Sequence, residues 1–372
     1  MHNPKNRAII IMVQYAERIM IPIMKTVVLC GGVSPEREVS LSTGAQVANA
    51  LRKRGNLVAL VDSAKDVPND TEALFTSDPG SNNALIHETA PDIGALLARG
   101  EYFGKNVLKI CREAEIVFNA MHGAAGEDGT IQAVFDLLGI RYTGSGSKGC
   151  AISMDKTFTK RILAPVEGVE MPKGMHFERA EYSRDPEAAI AAAIKAVGVP
   201  LVVKPACGGS SVGVSIVESE SELKAAFELS FSYEPKAVVE EFVGGREFST
   251  GVLGDKALPP IEIKPHTGFY DYRNKYQKGM TEDICPADIP KEAAEEMMRT
   301  ALIVHRELGL SAYSRTDFKM TDDGRICALE VNTLPGMTAM SLIPQEAAAV
   351  GIDFPTLCER IIEESLKKYD KA

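Results

Sequence analysis

The chain has 372 residues, with 41 Lys and Arg against 51 Asp and Glu, a formal charge of −10. That length exceeds a typical domain of about 150 residues and allows two or three. The acidic balance argues against a broad basic face for a nucleic-acid backbone, and 45% apolar with 25% charged residues excludes a disordered chain. Seven cysteines, Cys30, Cys111, Cys150, Cys207, Cys285, Cys327 and Cys358, are scattered without a CxxC pair or a cysteine–histidine cluster, as expected of reduced thiols in a cytoplasm. No apolar run approaches the ~20 residues that span a bilayer, so no membrane partner is expected. At the N-terminus, Lys5 and Arg7 precede a short apolar run, Ala8 to Val13, but Gln14, Glu17 and Arg18 end it and no small-residue cleavage site follows. Residues 1–23 are read as an appendage, or as the product of an upstream start codon, with the domain beginning near Met24.

In chain order, Thr26 to Cys30 reads as a buried strand. Gly31-Gly32-Val33 turns it into Ser34-Pro35-Glu36, where serine at an N-cap and proline at the first helical position mark a helix start. Leu41, Ala45, Ala48 and Leu51 recur at helical spacing up to Gly55, and Leu57 to Val61 gives a second strand. A loop-like stretch, a strand from Ile116 to Ala120, a loop from His122 to Gly129 and a helix from Thr130 to Leu138 complete a first unit: a parallel sheet with helices, ending near Ser145. Beyond it the spacing predicts a helix from Met154 to Leu163 and an alanine-rich helix from Asp185 to Val197. Strands from Leu201 to Lys204 and Val214 to Val217 flank a glycine-rich loop, and hairpins follow, including Phe248 to Leu253 turned by Gly254-Asp255.

Three local patterns bear on chemistry. Asp323-Gly324 between Ser314–Met320 and Arg325–Asn332 is a hairpin signal, and a two-residue loop there sets Asp317 opposite Glu330 and Arg315 opposite Asn332. Strand alternation puts all four on one face. Opposed carboxylates suit a hard divalent cation bridging phosphates, or a solvated face neutralised by Arg315 and Lys319. The loop Gly208 to Gly213 is either a plain turn or a phosphate cradle of backbone N–H groups with Lys204 beside it; it is not a Walker A loop. Gly31-Gly32 lacks the dinucleotide fingerprint, which argues against a nicotinamide enzyme. The aromatic, cationic segment Pro265 to Tyr276 either packs under another domain or closes over a ligand.

Taken in order, these runs resemble the D-alanine–D-alanine ligase family of the ATP-grasp superfamily. The matching segments are Gly31 to Ser40, His122 to Gly129, Tyr142 to Gly146, Ser153 to Lys156, Lys204 to Gly213, Phe269 to Tyr276 and Leu329 to Met337, from about Lys25 to the end. The resemblance implies an ATP-grasp fold, mixed α/β and α+β, with an N-terminal Rossmann-like parallel-sheet domain. The expected domains are 24–146 for substrate, a central lobe 147–241 and a C-terminal lobe 242–372 carrying a lid loop 265–280. It implies ATP-dependent joining of two D-alanines for cell-wall peptidoglycan, with ATP, Mg²⁺ (two ions, replaceable by Mn²⁺) and a homodimer of the kind common in the family. By the same resemblance Asp317, Glu330 and Asn332 are metal ligands; Lys156, Lys204 and Lys275 bind phosphates and Ser211 lies in the phosphate loop. Glu240, Val243 and Glu247 surround adenine and ribose. Arg315 and the Gly336 N–H stabilise oxyanion charge, and Glu36, tied through Ser210 to Tyr276, holds the first substrate's ammonium. His122 and Ser341 contact substrate, Ser341 at the second carboxylate. Glu241 stands where many relatives carry lysine, and Met340 replaces a commoner histidine. Tyr276 favours D-alanine as acceptor; the alternative is a related ligase taking D-serine, D-lactate or another amino acid.

Overall fold

The computed structural model describes residues 22–80, 93–209, 211–266 and 281–370. Its first sheet is parallel, with strands β1 (Lys25–Cys30), β2 (Leu57–Asp62) and β3 (Ile116–Asn119) in the order β2-β1-β3. Val27, Val28 and Leu29 of the central strand are fully buried, as a continuous apolar run in a two-sided sheet requires. Helix α1 (Arg37–Lys53) crosses β1 so closely that a Cβ on Gly44 would lie 2.6 Å from that of Cys30. The helix begins later than Ser34-Pro35 predicts. The Ser34 hydroxyl donates to the His122 carbonyl at 2.6 Å instead of capping, so Glu36 occupies the N-cap position. Helix α2 (Thr130–Leu138) has the expected bounds.

The helix expected from Met154 to Leu163 is α4 (Lys156–Leu163), and a further helix the spacing did not predict, α3 (Ser147–Met154), ends just before it. Asp155 separates them in an extended conformation, its carboxylate accepting the N–H groups of Thr157 and Phe158 at 2.8 and 3.3 Å. This local N-cap sets the start of α4.

A second sheet is antiparallel: β4 (Gly174–Glu178), β5 (Leu201–Pro205), β6 (Ser215–Val217) and β7 (Lys236–Glu241), in the order β4-β7-β5-β6. Helices α5 (Pro186–Val197), capped by Asp185, and α6 (Leu223–Tyr233) cover one face over Phe177, Tyr182, Phe227 and Phe231. The third sheet holds β8 (Arg246–Leu253), β9 (Lys256–Ala257), β10 (Ile261–Pro265), β11 (Thr281–Ile284), β12 (Tyr313–Met320) and β13 (Ile326–Asn332). Its order is β11-β10-β8-β12-β13, with β9 paired to β8. Helix α7 (Lys291–Glu307) packs Met297 and Ala301 on Phe248 and Phe318, while α8 (Leu342–Ala349) lies on the other face. Helix α9 (Phe354–Leu366) returns to the first sheet, its Leu357, Ile361 and Ile362 sharing a core with Val47 and Leu51 of α1.

The β12–β13 hairpin corrects one expectation. The loop is longer than two residues: Met320 pairs with Ile326, and the Thr321 N–H donates to the Arg325 carbonyl. A bulge at Leu329 then shifts the register by one, so that Asp317 faces Glu330 and Arg315 faces Asn332. The expected pairing is reached by a different turn, because the extra residue compensates for the longer loop.

Candidate active site

The second and third sheets face each other across a cavity of about 690 Å³, lined by Lys204, Glu240, Val243, Glu247, Asp317 and Glu330 among others. On its second-sheet wall, Glu240 is 3% exposed and held by the Lys204 ammonium and by Lys160 Nζ, the latter at 2.5 Å. Burial opposes charge on Glu240, but the two ammonium groups outweigh it and hold the carboxyl below its ordinary range. Burial pulls Lys160 downward, only partly offset by Glu240. Lys156, at the start of α4, reaches across to the Gly208 carbonyl at 2.8 Å and to Glu330 Oε2 at 3.5 Å. It thereby joins the glycine-rich loop to the acids of the third sheet. In that loop Ser211 has a positive φ of 58°, and Gly208 and Gly209 are exposed at the cavity rim.

On the third sheet Arg315 donates to both Asp317 oxygens, Nε to Oδ1 and Nη2 to Oδ2, each at 2.8 Å, and Ser249 Oγ donates to Asp317 Oδ1 at 2.9 Å. Lys319 pairs with Glu247 at 2.9 Å, and Asn332 Oδ1 accepts the Leu334 N–H at 2.9 Å. The two opposed acids are thus each neutralised, Asp317 by Arg315 and Glu330 by Lys156. Among the described residues no three His, Cys, Asp or Glu side chains cluster for a metal; the candidate set is two carboxylates and one amide oxygen.

The loops of the first sheet complete the site from a third side. Glu36 Oε2 lies 2.9 Å from where a Gly123 Cβ would sit, so only glycine, at φ 76°, lets the carboxylate reach this point. His122 is buried, with Nε2 3.1 Å from Thr43 Oγ1 and Nδ1 3.2 Å from Glu127 Oε1. A crevice lined by Glu127, Lys156, Gly208, Glu330 and Asn332 connects this loop to the acids. Ser341 is the N-cap residue of α8; its Oγ accepts the Thr338 N–H at 3.0 Å and lies 2.9 Å from the position of a Gly336 Cβ.

Of the expected site residues, Ser210, Lys275 and Tyr276 lie outside the described residues, as does most of the 265–280 segment and the appendage up to residue 21. Glu241 lines the same cavity, and its carboxylate accepts from Arg325 Nη2 at 2.6 Å and from the Lys173 N–H at 2.9 Å. Met340 is 67% exposed. Two participants were not singled out from sequence. Lys160 stands one helical turn after Lys156, and Ser249 follows strand alternation from Glu247; those periods were the available signals. Lys319, expected to neutralise the hairpin acids, pairs with Glu247.

Two family models match the chain, D-ala D-ala ligase N-terminus over residues 25–145 and D-ala D-ala ligase C-terminus over residues 163–363. A D-alanine–D-alanine ligase of Pediococcus pentosaceus is 40% identical over 365 residues, covering 94% of this chain and 99% of the relative. One of Sphingopyxis alaskensis is 40% identical over 347 residues, covering 91% and 97%. The crystal structure of a Bacillus anthracis D-alanine–D-alanine ligase complexed with ATP superposes with TM-score 0.71 at 29% identity, covering 94% of this chain and 99% of that one. That of the Coxiella burnetii enzyme, at 23% identity and TM-score 0.72, shares the fold. With both halves matched by one family, and with the facing antiparallel sheets of an ATP-grasp fold behind a parallel-sheet domain, this chain belongs to the D-alanine–D-alanine ligase family.

Proposed function

We propose that this chain joins two D-alanine molecules at the expense of ATP, giving D-alanyl-D-alanine, ADP and phosphate for peptidoglycan precursors. The observation that carries this reading is the cavity between the two antiparallel sheets. It is lined by lysines on one wall and by opposed acids on the other. A carboxylate is a poor acyl donor because its oxygen is a bad leaving group. Transfer of the γ-phosphoryl group to the first D-alanine carboxylate cures this, and the amine of the second D-alanine then attacks the acyl phosphate, expelling phosphate through a tetrahedral intermediate.

Each described residue has a part. Lys156 and Lys204 neutralise phosphate oxygens, while Glu240, Val243 and Glu247 line the adenine and ribose end. Glu36 holds the first ammonium, Ser341 the second carboxylate, and Arg315 with the Gly336 N–H meets the developing oxyanion. Asp317, Glu330 and Asn332 fit Mg²⁺: they are hard oxygen donors on one sheet face, with Asp317 paired to Arg315 and Glu330 to Lys156. Bound there, Mg²⁺ neutralises the oxygens of the transferring phosphoryl group. The three domains, bounded at about 146 and 241, a homodimer, and a cytoplasmic location belong to the same reading. The last is supported by free thiols throughout the described residues and by the absence there of any helix long and apolar enough to cross a membrane.

The test is phosphate release from ATP and Mg²⁺ with D-alanine, L-alanine, D-serine or D-lactate in parallel. Release that depends on D-alanine, with the dipeptide as product, is expected; release indifferent to D-alanine would overturn the assignment.

A further inference from the structure

The turn that presents Ser341 is held from two sides by glutamines that the roles above leave unused. Its backbone closes on itself: the Ser341 N–H donates to the Thr338 carbonyl at 2.9 Å, and Ser341 Oγ accepts the Thr338 N–H at 3.0 Å with Thr338 Oγ1 2.9 Å away. A hydroxyl that accepts from an amide keeps its own proton to donate, so this pair of hydroxyls has one O–H left for a carboxylate. The two residues at the tip of the turn, Ala339 and Met340, are exposed, yet a backbone polar group of each is engaged. Gln46 Oε1 accepts the Ala339 N–H at 2.8 Å. Gln345 Nε2 donates to the Met340 carbonyl at 3.0 Å and to Asp283 Oδ2 on β11 at 2.8 Å.

The two braces differ in origin. Gln345 belongs to α8, the helix that Ser341 itself begins, and so moves with the turn. Gln46 lies 293 positions from Ala339, on α1 of the first unit, and its half-buried side chain also donates to Ser42 Oγ at 3.3 Å, one helical turn earlier. Glu36 occupies the N-cap position of that same helix, about 15 Å from Gln46 along the axis at the rise of an α-helix. One rigid element thus carries at its start the carboxylate assigned to the first ammonium, and further along it the side chain that fastens the turn assigned to the second carboxylate. We propose, on the ligase reading of Glu36 and Ser341, that Gln46 is a positioning residue for the acceptor subsite: through the Ala339 N–H it fixes Ser341 relative to Glu36, and with it the spacing between the two substrate molecules.

Gln46→Met keeps the length of the side chain and a good helix former while removing the acceptor; Gln46→Glu keeps an acceptor oxygen. Because the rate rises with the square of D-alanine concentration when both subsites are empty, initial rates over a wide concentration range separate the first-site and second-site KM. In the full-length Gln46→Met enzyme the second-site KM should rise about fivefold, the size of one exposed hydrogen bond, while the first-site KM, the KM for ATP and the saturated kcat stay within about twofold. Gln46→Glu should return the second-site KM to within about twofold of the wild type. An unchanged second-site KM in Gln46→Met, or one raised equally in Gln46→Glu, would overturn the proposal, as would an equal rise in the KM for ATP, which marks a general loosening of the fold. A wild-type enzyme whose phosphate release ignores D-alanine would instead refute the ligase reading itself.

Discussion

At the scale of single residues the site is a set of charges already paired with one another. Asp317 is gripped by Arg315 and Ser249, Glu330 by Lys156, Glu247 by Lys319, and Glu240 by Lys160 and Lys204. Such pairing holds each side chain in place, and under the proposed function polyanionic ATP competes for the same lysines. Replacing Asp317 by Asn keeps its shape and removes an anionic oxygen donor; steady-state turnover in Mg²⁺ should fall at least about a hundredfold while the circular dichroism spectrum stays unchanged. Glu240→Gln takes from Lys160 and Lys204 the carboxylate they share. We expect a loss of about 3 kcal/mol in urea unfolding, together with a raised KM for ATP. The sequence pointed to Glu240 by resemblance alone, since no local pattern announces that two lysines, one of them 80 residues upstream, converge on it. Glu241 shows the complementary case, a side chain whose partners, Arg325 and the Lys173 amide, no local pattern announces.

At the scale of elements, capping and register did more than periodicity. The break between α3 and α4 is set by Asp155, which also accepts from Lys236 Nζ at 3.1 Å and so ties the start of α4 to β7. That break aims Lys156 at Gly208 and Glu330. Asp155→Ala should therefore cost about 1–2 kcal/mol of stability through the lost cap, measured by thermal or urea unfolding, and should raise the KM for ATP by loosening Lys156. Alternation correctly placed Arg315, Asp317, Glu330 and Asn332 on one face, although the turn was longer than Asp323-Gly324 predicts. The bulge at Leu329 that restores the pairing has no sequence signal of its own, because a bulge is fixed by what both strands must pack against.

For the molecule as a whole, the C-terminal segment closes the fold on itself. Helix α9 joins the core of the first sheet. Beyond it Lys368 Nζ lies 3.6 Å from the centre of the Tyr142 ring and donates to the Gly144 carbonyl at 2.9 Å, while the Tyr369 hydroxyl accepts the Tyr142 N–H at 2.9 Å. The run Tyr142 to Gly146, which links the first sheet to α3, is thereby fixed by residues more than 200 positions away. Global stability also carries a pH dependence from His305, on the buried face of α7 and 2.7 Å from Ser314 Oγ. Burial lowers its pKa from 6.5 to about 4, so between these values the unfolded chain binds the proton and the folded one does not. His305 thus stabilises the fold above about pH 6.5, and that contribution, roughly 3 kcal/mol, is lost as pH falls toward 4. Denaturant titrations at pH 4 and pH 7 should show a smaller difference in His305→Gln than in the wild type.

The sequence by itself determined the β-α-β opening, the helix from Thr130 to Leu138 and the common face of the hairpin acids, and its motifs determined the family, because these depend on local spacing and residue type. Which groups meet was decided only by tertiary structure: Lys160 and Lys204 on Glu240, Lys156 on Glu330, the Gly251 N–H on Glu346, and α9 against the first sheet. Those pairings join segments far apart in the chain. Their partners are selected by how two sheets and a helix pack around one cavity, and no local periodicity records that.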